Sequence, residues 1–179
     1  MALPSTLYRF HIQLSDVDRG LYQPLELRIA MHPSEALGFL LTRVIAYSLN
    51  VQDGIALTQG IGDPDEPAIR VTDLTGITRL WIDVGNPSAK RLHKAAKVSK
   101  NVRIYTYRDP QILKGELQGQ EVYRKESIEL FAVAPHFLQE LATTLERDNH
   151  WQLLHTEGEL AITVRDKTIH GEIIRHPLV

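Results

Sequence analysis

The 179-residue chain contains no cysteine. Disulfides, thiolate nucleophiles and cysteine-ligated zinc are excluded together. No apolar run approaches the roughly 20 residues that a spanning helix needs. The start, Met1-Ala2-Leu3-Pro4-Ser5, has no basic segment leading into an apolar one. A cytoplasmic protein without membrane attachment is therefore expected. Neither sign of charge dominates, since 20 Lys and Arg face 22 Asp and Glu. That balance argues against a protein that coats nucleic acid by bulk charge, so any such contact must come from a local patch. The eight histidines are scattered with no pair at HExxH spacing, and a histidine-built metal site would need long-range assembly. There is no internal repeat and no low-complexity tract.

With 43% hydrophobic residues, the chain can bury a sizeable core and reads as a single domain over 1–179. Leu7 to Leu14 and Leu25 to Met31 alternate apolar and polar residues across the turn chemistry of Ser15 to Gly20, which predicts a β-hairpin within 1–31. His32-Pro33-Ser34-Glu35 reads as a helix start, with Pro33 in the first turn and the helix running to about Asn50. Leu37, Leu40, Leu41, Val44, Ile45 and Leu49 form its buried stripe. Ile55 to Gln59 is a short strand. Gly60-Ile61-Gly62 mimics the opening of a dinucleotide-binding loop, but the third glycine is missing and Pro64 and Pro67 follow, so that motif is rejected.

The next strand is Leu80 to Val84, reached through Val71 to Ile77 with a turn at Gly76. Ser88 caps a helix from Ala89 to about Ser99, and Val102 to Tyr107 is a strand. This strand, helix, strand order predicts a parallel pair with a right-handed crossover. A weaker helix follows Asp109-Pro110 to Leu117, then a strand from Ser127 to Val133. A helix from Pro135 to Arg147 carries Phe137, Leu138, Leu141 and Leu145. Trp151 to His155, Glu159 to Arg165 and Thr168 to His176 read as a meander within 151–179. The expected architecture is α/β: a mixed sheet flanked by helices over 32–150, with hairpin and meander packed on it as a small antiparallel β flank.

One carboxylate stands out in this pattern, because Asp83 ends an apolar strand. Asp53, Asp63, Asp65, Glu66 and Asp73 precede it, whereas Val84 to Arg108 contains no acid and carries Lys90, Arg91, Lys94, Lys97, Lys100, Arg103 and Arg108. Acid before a strand end and base after it suit a metal-and-phosphate site; a solvated surface has the same layout. Mg²⁺ takes oxygen ligands and needs few from protein, so Asp83 and Asp65 would suffice, with a nearby cation steadying water or phosphate. Arg91 and Lys94 are three apart and share a helix face. They are the preferred cations, and a solvated helix face is the competing explanation. Glu35 has two readings as well, since a first-turn carboxylate is favoured by the helix dipole alone. Trp81, Tyr105 and Tyr107 are of base-stacking type but read as core on buried strands.

The stretch His32 to Glu35, the Asp65-Glu66-Pro67 triplet, the run Leu80 to Gly85 and the helix with Lys90, Arg91 and Lys94 together resemble the YaeQ family of bacterial proteins. More broadly, a helix with Glu35, a strand, Pro64-Asp65, a strand ending in Asp83-Val84-Gly85 and a basic helix resemble the PD-(D/E)XK nuclease-like core. The resemblance covers essentially the full length. It implies a restriction-endonuclease-like fold with Glu35, Asp65 and Asp83 as ligands of Mg²⁺. The nuclease pattern has a lysine two residues after the second acid, where this chain has Gly85. Either that role has moved to Lys94 or Arg91 as catalytic cation, or catalysis has been lost. Three functions follow: a metal-dependent phosphodiesterase acting on nucleic acid, a non-catalytic module binding nucleic acid or a transcription complex, and an interaction module whose acids only cap and solvate.

Overall fold

The computed structural model describes residues 3–59 and 63–179; Gly60-Ile61-Gly62, the rejected loop motif, lies outside the described residues. The chain opens with a hairpin, β1 (Thr6–Asp16) and β2 (Leu21–Met31), and continues through helix α1 (Leu37–Asn50). Strands β3 (Ile55–Leu57), β4 (Ile69–Thr72) and β5 (Thr78–Val84) follow, then α2 (Ala89–Val98), β6 (Asn101–Thr106) and α3 (Pro110–Leu117). After β7 (Glu129–Val133) and α4 (Pro135–Ala142), the chain closes with β8 (Asp148–Thr156), β9 (Glu159–Val164) and β10 (Lys167–His176). The strands join in one mixed sheet ordered β2-β1-β8-β9-β10-β7-β6-β5-β4-β3.

The expected pairing of hairpin with meander is present, but not as a separate antiparallel flank. β1 meets β8 in parallel register, Ile12 opposite Trp151, and β10 joins the central strands through antiparallel pairing with β7. The sheet is therefore continuous from end to end. It also curves: the edge strands β2 and β3 both pack on α1, as do the central strands β5 and β6. Helix α1 is consequently buried almost all round rather than along one stripe, with Thr42, Arg43, Ser48 and Asn50 buried beside Leu40, Leu41, Val44 and Ile45. Leu37, assigned to the stripe, is exposed.

Three element boundaries differ from expectation for local reasons. The Ser34 amide donates to His32 Nδ1 (3.1 Å) and the Glu35 amide to the His32 carbonyl (2.9 Å), closing a separate turn over 32–35. Helix α1 starts only at Leu37, so Glu35 precedes the first turn instead of sitting in it. Helix α4 stops at Ala142 because the Thr143 and Thr144 hydroxyls donate to the carbonyls of Glu140 (2.6 Å) and Leu141 (2.7 Å), competing with backbone donors for them. The strand β4 is additional, whereas the turn expected at Gly76 is present: the Asp73 carboxylate accepts from the amides of Thr75 (2.9 Å) and Ile77 (3.1 Å), tying a tight β4–β5 connection.

The sheet has a different core on each face. Leu80, Ile82, Tyr105 and Val133 face α1 and α4, whereas Trp81, Val102, Ile104 and Leu130 pack with Leu92, Ala95 and Ala96 of α2 and Leu113 and Leu117 of α3. β5 and β6 are parallel, as the strand, helix, strand spacing predicts. Since side chains alternate along a strand, Asp83 shares its face with Trp81 and points toward α2.

Candidate functional site

The end of β5 is organised by Gly85 and Ser88. Gly85 has φ +90°, a region favouring glycine, and its amide donates to the Tyr105 carbonyl at 2.8 Å. The backbone itself thus gives a physical reason for glycine where the nuclease pattern has lysine. Ser88 caps α2 by accepting from the Arg91 amide at 3.2 Å, as expected. Small residues Ala95 and Ala96 bring the helix close to the sheet, placing Arg91 in the first turn directly over Asp83.

Asp83 is only 2% exposed and accepts a two-point bond from Arg91: Nε to Oδ2 and Nη2 to Oδ1, both 2.8 Å. The same guanidinium donates to the carbonyls of Pro64 (2.7 Å) and Glu66, and lies 5.6 Å from the centre of the Trp81 ring. Four oxygens therefore converge on one planar cation, a geometry suited to the guanidinium fork. Lys94, one turn further along, pairs with Asp65 at the surface, and this contact holds the Asp65 carboxyl below its ordinary range.

The chain on either side of the loop carrying Pro64 and Glu66, at Thr58 and at Pro67-Ala68, is held from α1 as well. Arg43, 1% exposed, donates to the carbonyls of Ala68 (3.2 Å) and Thr58, while the Thr58 hydroxyl donates to the Pro67 carbonyl (2.6 Å). Burial lowers the pKa of Arg43 and the Glu35 charge opposes that shift. Glu35 thus acts electrostatically on α1, whereas Asp83 and Asp65 are engaged by α2. The five residues singled out from sequence all border this loop or its two supporting helices. Arg43 was not among them, although a charged residue between Leu41 and Val44 in an otherwise apolar helix is a legible signal.

Oxygen donors of this kind are chemically right for a hard divalent ion. Their charge is already matched, however: Asp83 by Arg91, Asp65 by Lys94 and Glu35 by Arg43. An ion bound by Asp83 and Asp65 would have to displace Arg91 and Lys94 from them. Trp81 and Tyr105 are buried as core, as expected. Among the described residues no helix is long and apolar enough to cross a membrane.

Known proteins with this sequence pattern and architecture are consistent with one another. A family model described as YaeQ protein matches residues 1–173. The YaeQ proteins of Escherichia coli (strain K12) and Shigella flexneri are each 32% identical over 108 residues, spanning 60% of this chain and 59% of theirs. The crystal structure of YaeQ protein from Pseudomonas syringae superposes with a TM-score of 0.86 at 28% identity over 97% of both chains. That from Xanthomonas axonopodis pv. citri has a TM-score of 0.87 at 25% identity, over 97% of this chain and 98% of that one. The chain belongs to the YaeQ family.

Proposed function

We propose that this chain is a non-catalytic module that binds the phosphate backbone of nucleic acid along the exposed face of α2, and that it retains a PD-(D/E)XK nuclease-type scaffold. The observation that carries this reading is the division of labour among the cations of α2. Arg91 is turned inward and satisfied by Asp83 and two carbonyls, while Lys90, Lys94 and Lys97, at i, i+4 and i+7, form an exposed line with Lys100 just beyond, in which Lys94 holds only a surface pair with Asp65 that a phosphate would displace. Such a line of flexible point charges suits phosphates, which position a nucleic acid without reading its sequence. The nucleic acid of a transcription complex presents the same chemistry.

One feature favours the hydrolytic alternative, in which Glu35, Asp65 and Asp83 hold Mg²⁺ and Lys94 or Arg91 acts as the cation. Lys94 reaches back to Asp65, the movement that a cation displaced from position 85 would require. The two readings separate in one experiment. Fluorescence anisotropy on single-stranded and duplex DNA and RNA, across a salt series with Mg²⁺ or Mn²⁺ present, is compared for the wild type and a Lys90→Gln, Lys94→Gln, Lys97→Gln variant. Binding without cleavage is expected, and on duplex DNA the triple variant should lower the log–log salt slope by up to about 2.7, at ~0.9 per phosphate. An unchanged slope would remove the proposal. Cleavage that needs the divalent ion and is lost in Asp83→Asn would replace it with the hydrolytic one.

A further inference from the structure

A second cluster lies across the first strands of the sheet, remote in sequence from the acids above. Glu26 of β2 sits opposite His11 of β1, and His11 sits opposite His150 of β8, so three strands place these side chains in one row. Asp148 stands two residues before His150 and therefore on the same face. His11, Asp148 and His150 offer ligand atoms that all lie within 4.8 Å of one another. We propose that His11 Nε2, His150 Nε2 and the Asp148 carboxylate form a binding site for a zinc-class divalent ion, with Glu26 as the group that orients His11.

Four observations support the assignment. The donor set of two imidazoles and one carboxylate belongs to borderline ions such as Zn²⁺ and Co²⁺, and not to Mg²⁺ or Ca²⁺. His11 Nδ1 contacts Glu26 Oε2 at 2.5 Å, so its other nitrogen, Nε2, faces Asp148. A carboxylate behind a histidine in this way fixes the ring and strengthens it as a ligand. One carboxylate serves both rings: His11 Nε2 to Asp148 Oδ1 is 2.8 Å and His150 Nε2 to Asp148 Oδ2 is 4.0 Å. Donors around a tetrahedral ion at ~2.1 Å stand about 3.4 Å apart, and the three ligand atoms lie within 4.8 Å of one another, so closing on an ion takes side-chain movements of up to about 1.4 Å.

Charge and access also agree. Two carboxylates, Glu26 and Asp148, offset a divalent ion; the His11 and His150 rings are stacked 4.4 Å apart and nearly parallel, so one ring turns about its Cβ–Cγ bond for both Nε2 lone pairs to meet at one ion. The cluster opens into a groove of about 380 Å³ that leaves room for water as a fourth ligand. Arg165, the cation lining that groove, is engaged by Glu146.

Untagged full-length protein, stripped with chelator, is titrated with ZnCl₂ by calorimetry and with CoCl₂ by visible absorption. One equivalent of Zn²⁺ and the intense d–d bands of tetrahedral Co²⁺ are expected. His11→Ala and His150→Ala should each abolish stoichiometric binding, and Glu26→Gln should weaken it by about 10–100-fold. Circular dichroism and thermal melting of the apo variants establish that these exposed substitutions leave the fold intact. Absence of a one-to-one site, or a site of undiminished affinity in either histidine variant, overturns the proposal. An Asp83→Asn variant that binds as the wild type does keeps this site distinct from the α2 cluster.

Discussion

Replacing Arg91 with alanine tests how the α2 cluster is held together. The substitution strips Asp83 of both its guanidinium bonds and releases the carbonyls of Pro64 and Glu66. Removing one partner of a buried ion pair costs about 3–5 kcal/mol, because the other charge is left in a poor solvent. The Arg91 side chain is 25% exposed, so water enters the vacated space and a loss nearer ~2–3 kcal/mol is expected. At roughly 2–4 °C per kcal/mol for a chain of this size, the melting temperature falls by about 5–10 °C. Arg91→Lys recovers only part, since a single ammonium cannot serve four oxygens in the plane of a fork.

The decisive comparison is a double-mutant cycle with Asp83→Ala by urea unfolding. Removing both charges should be much less harmful than the two single losses added, with a coupling of about 1–3 kcal/mol. Hydrogen exchange should also show faster opening near 63–67 in Arg91→Ala, where the loop has lost its anchor. Additive losses, or a melting shift below about 2 °C, would refute the view that Arg91 is the internal counter-ion of this site.

Two further outcomes test the packing elsewhere. Burial pushes the Asp16 carboxyl up, but bonds from His155 Nδ1 (3.0 Å) and Arg19 Nε (2.8 Å) outweigh it and hold the group below its ordinary value. A depressed carboxylate stabilises the fold above its unfolded pKa of about 4, and that contribution is lost as the pH falls through the folded value. In urea midpoints between neutral pH and pH 3, the advantage of wild type over Asp16→Asn should therefore shrink below about pH 4; a constant gap sinks the assignment. At Gly171, an added Cβ would stand 2.3 Å from Phe137 Cγ. Gly171→Ala is expected to cost about 1–3 kcal/mol by overpacking, and an unaffected midpoint would show that α4 yields freely.

The unit from β5 through α2 to β6 was legible in the sequence because everything that defines it is local: an apolar run, Ser88 at the cap, alanines at helical spacing and a second apolar run. The same locality made Arg91 and Lys94 visible as a pair on one face. Which of them meets the buried acid was not visible, since that depends on α2 beginning at Ala89 and lying close against Trp81. Glu35 was placed in a helix because Pro33 suits a first turn, but His32 captured the amides of Ser34 and Glu35 first. The His11 cluster was illegible for a deeper reason. Alternation tells which face of a strand a side chain occupies and leaves the neighbouring strand unspecified, so His11 and His150 meet only once β1 and β8 are known to pair.

That pairing sets a schedule for biosynthesis. Asp16 and His155 are 139 positions apart, and β8 must leave the ribosome before the inner side of the hairpin is covered. Until then β1 presents an open row of amides and carbonyls beside Phe10, Ile12 and Leu14, the kind of surface that recruits other chains. So distant a closure also raises the mean sequence separation of contacts, which slows folding. A chain stalled before residue 148 lacks the strand that covers this edge.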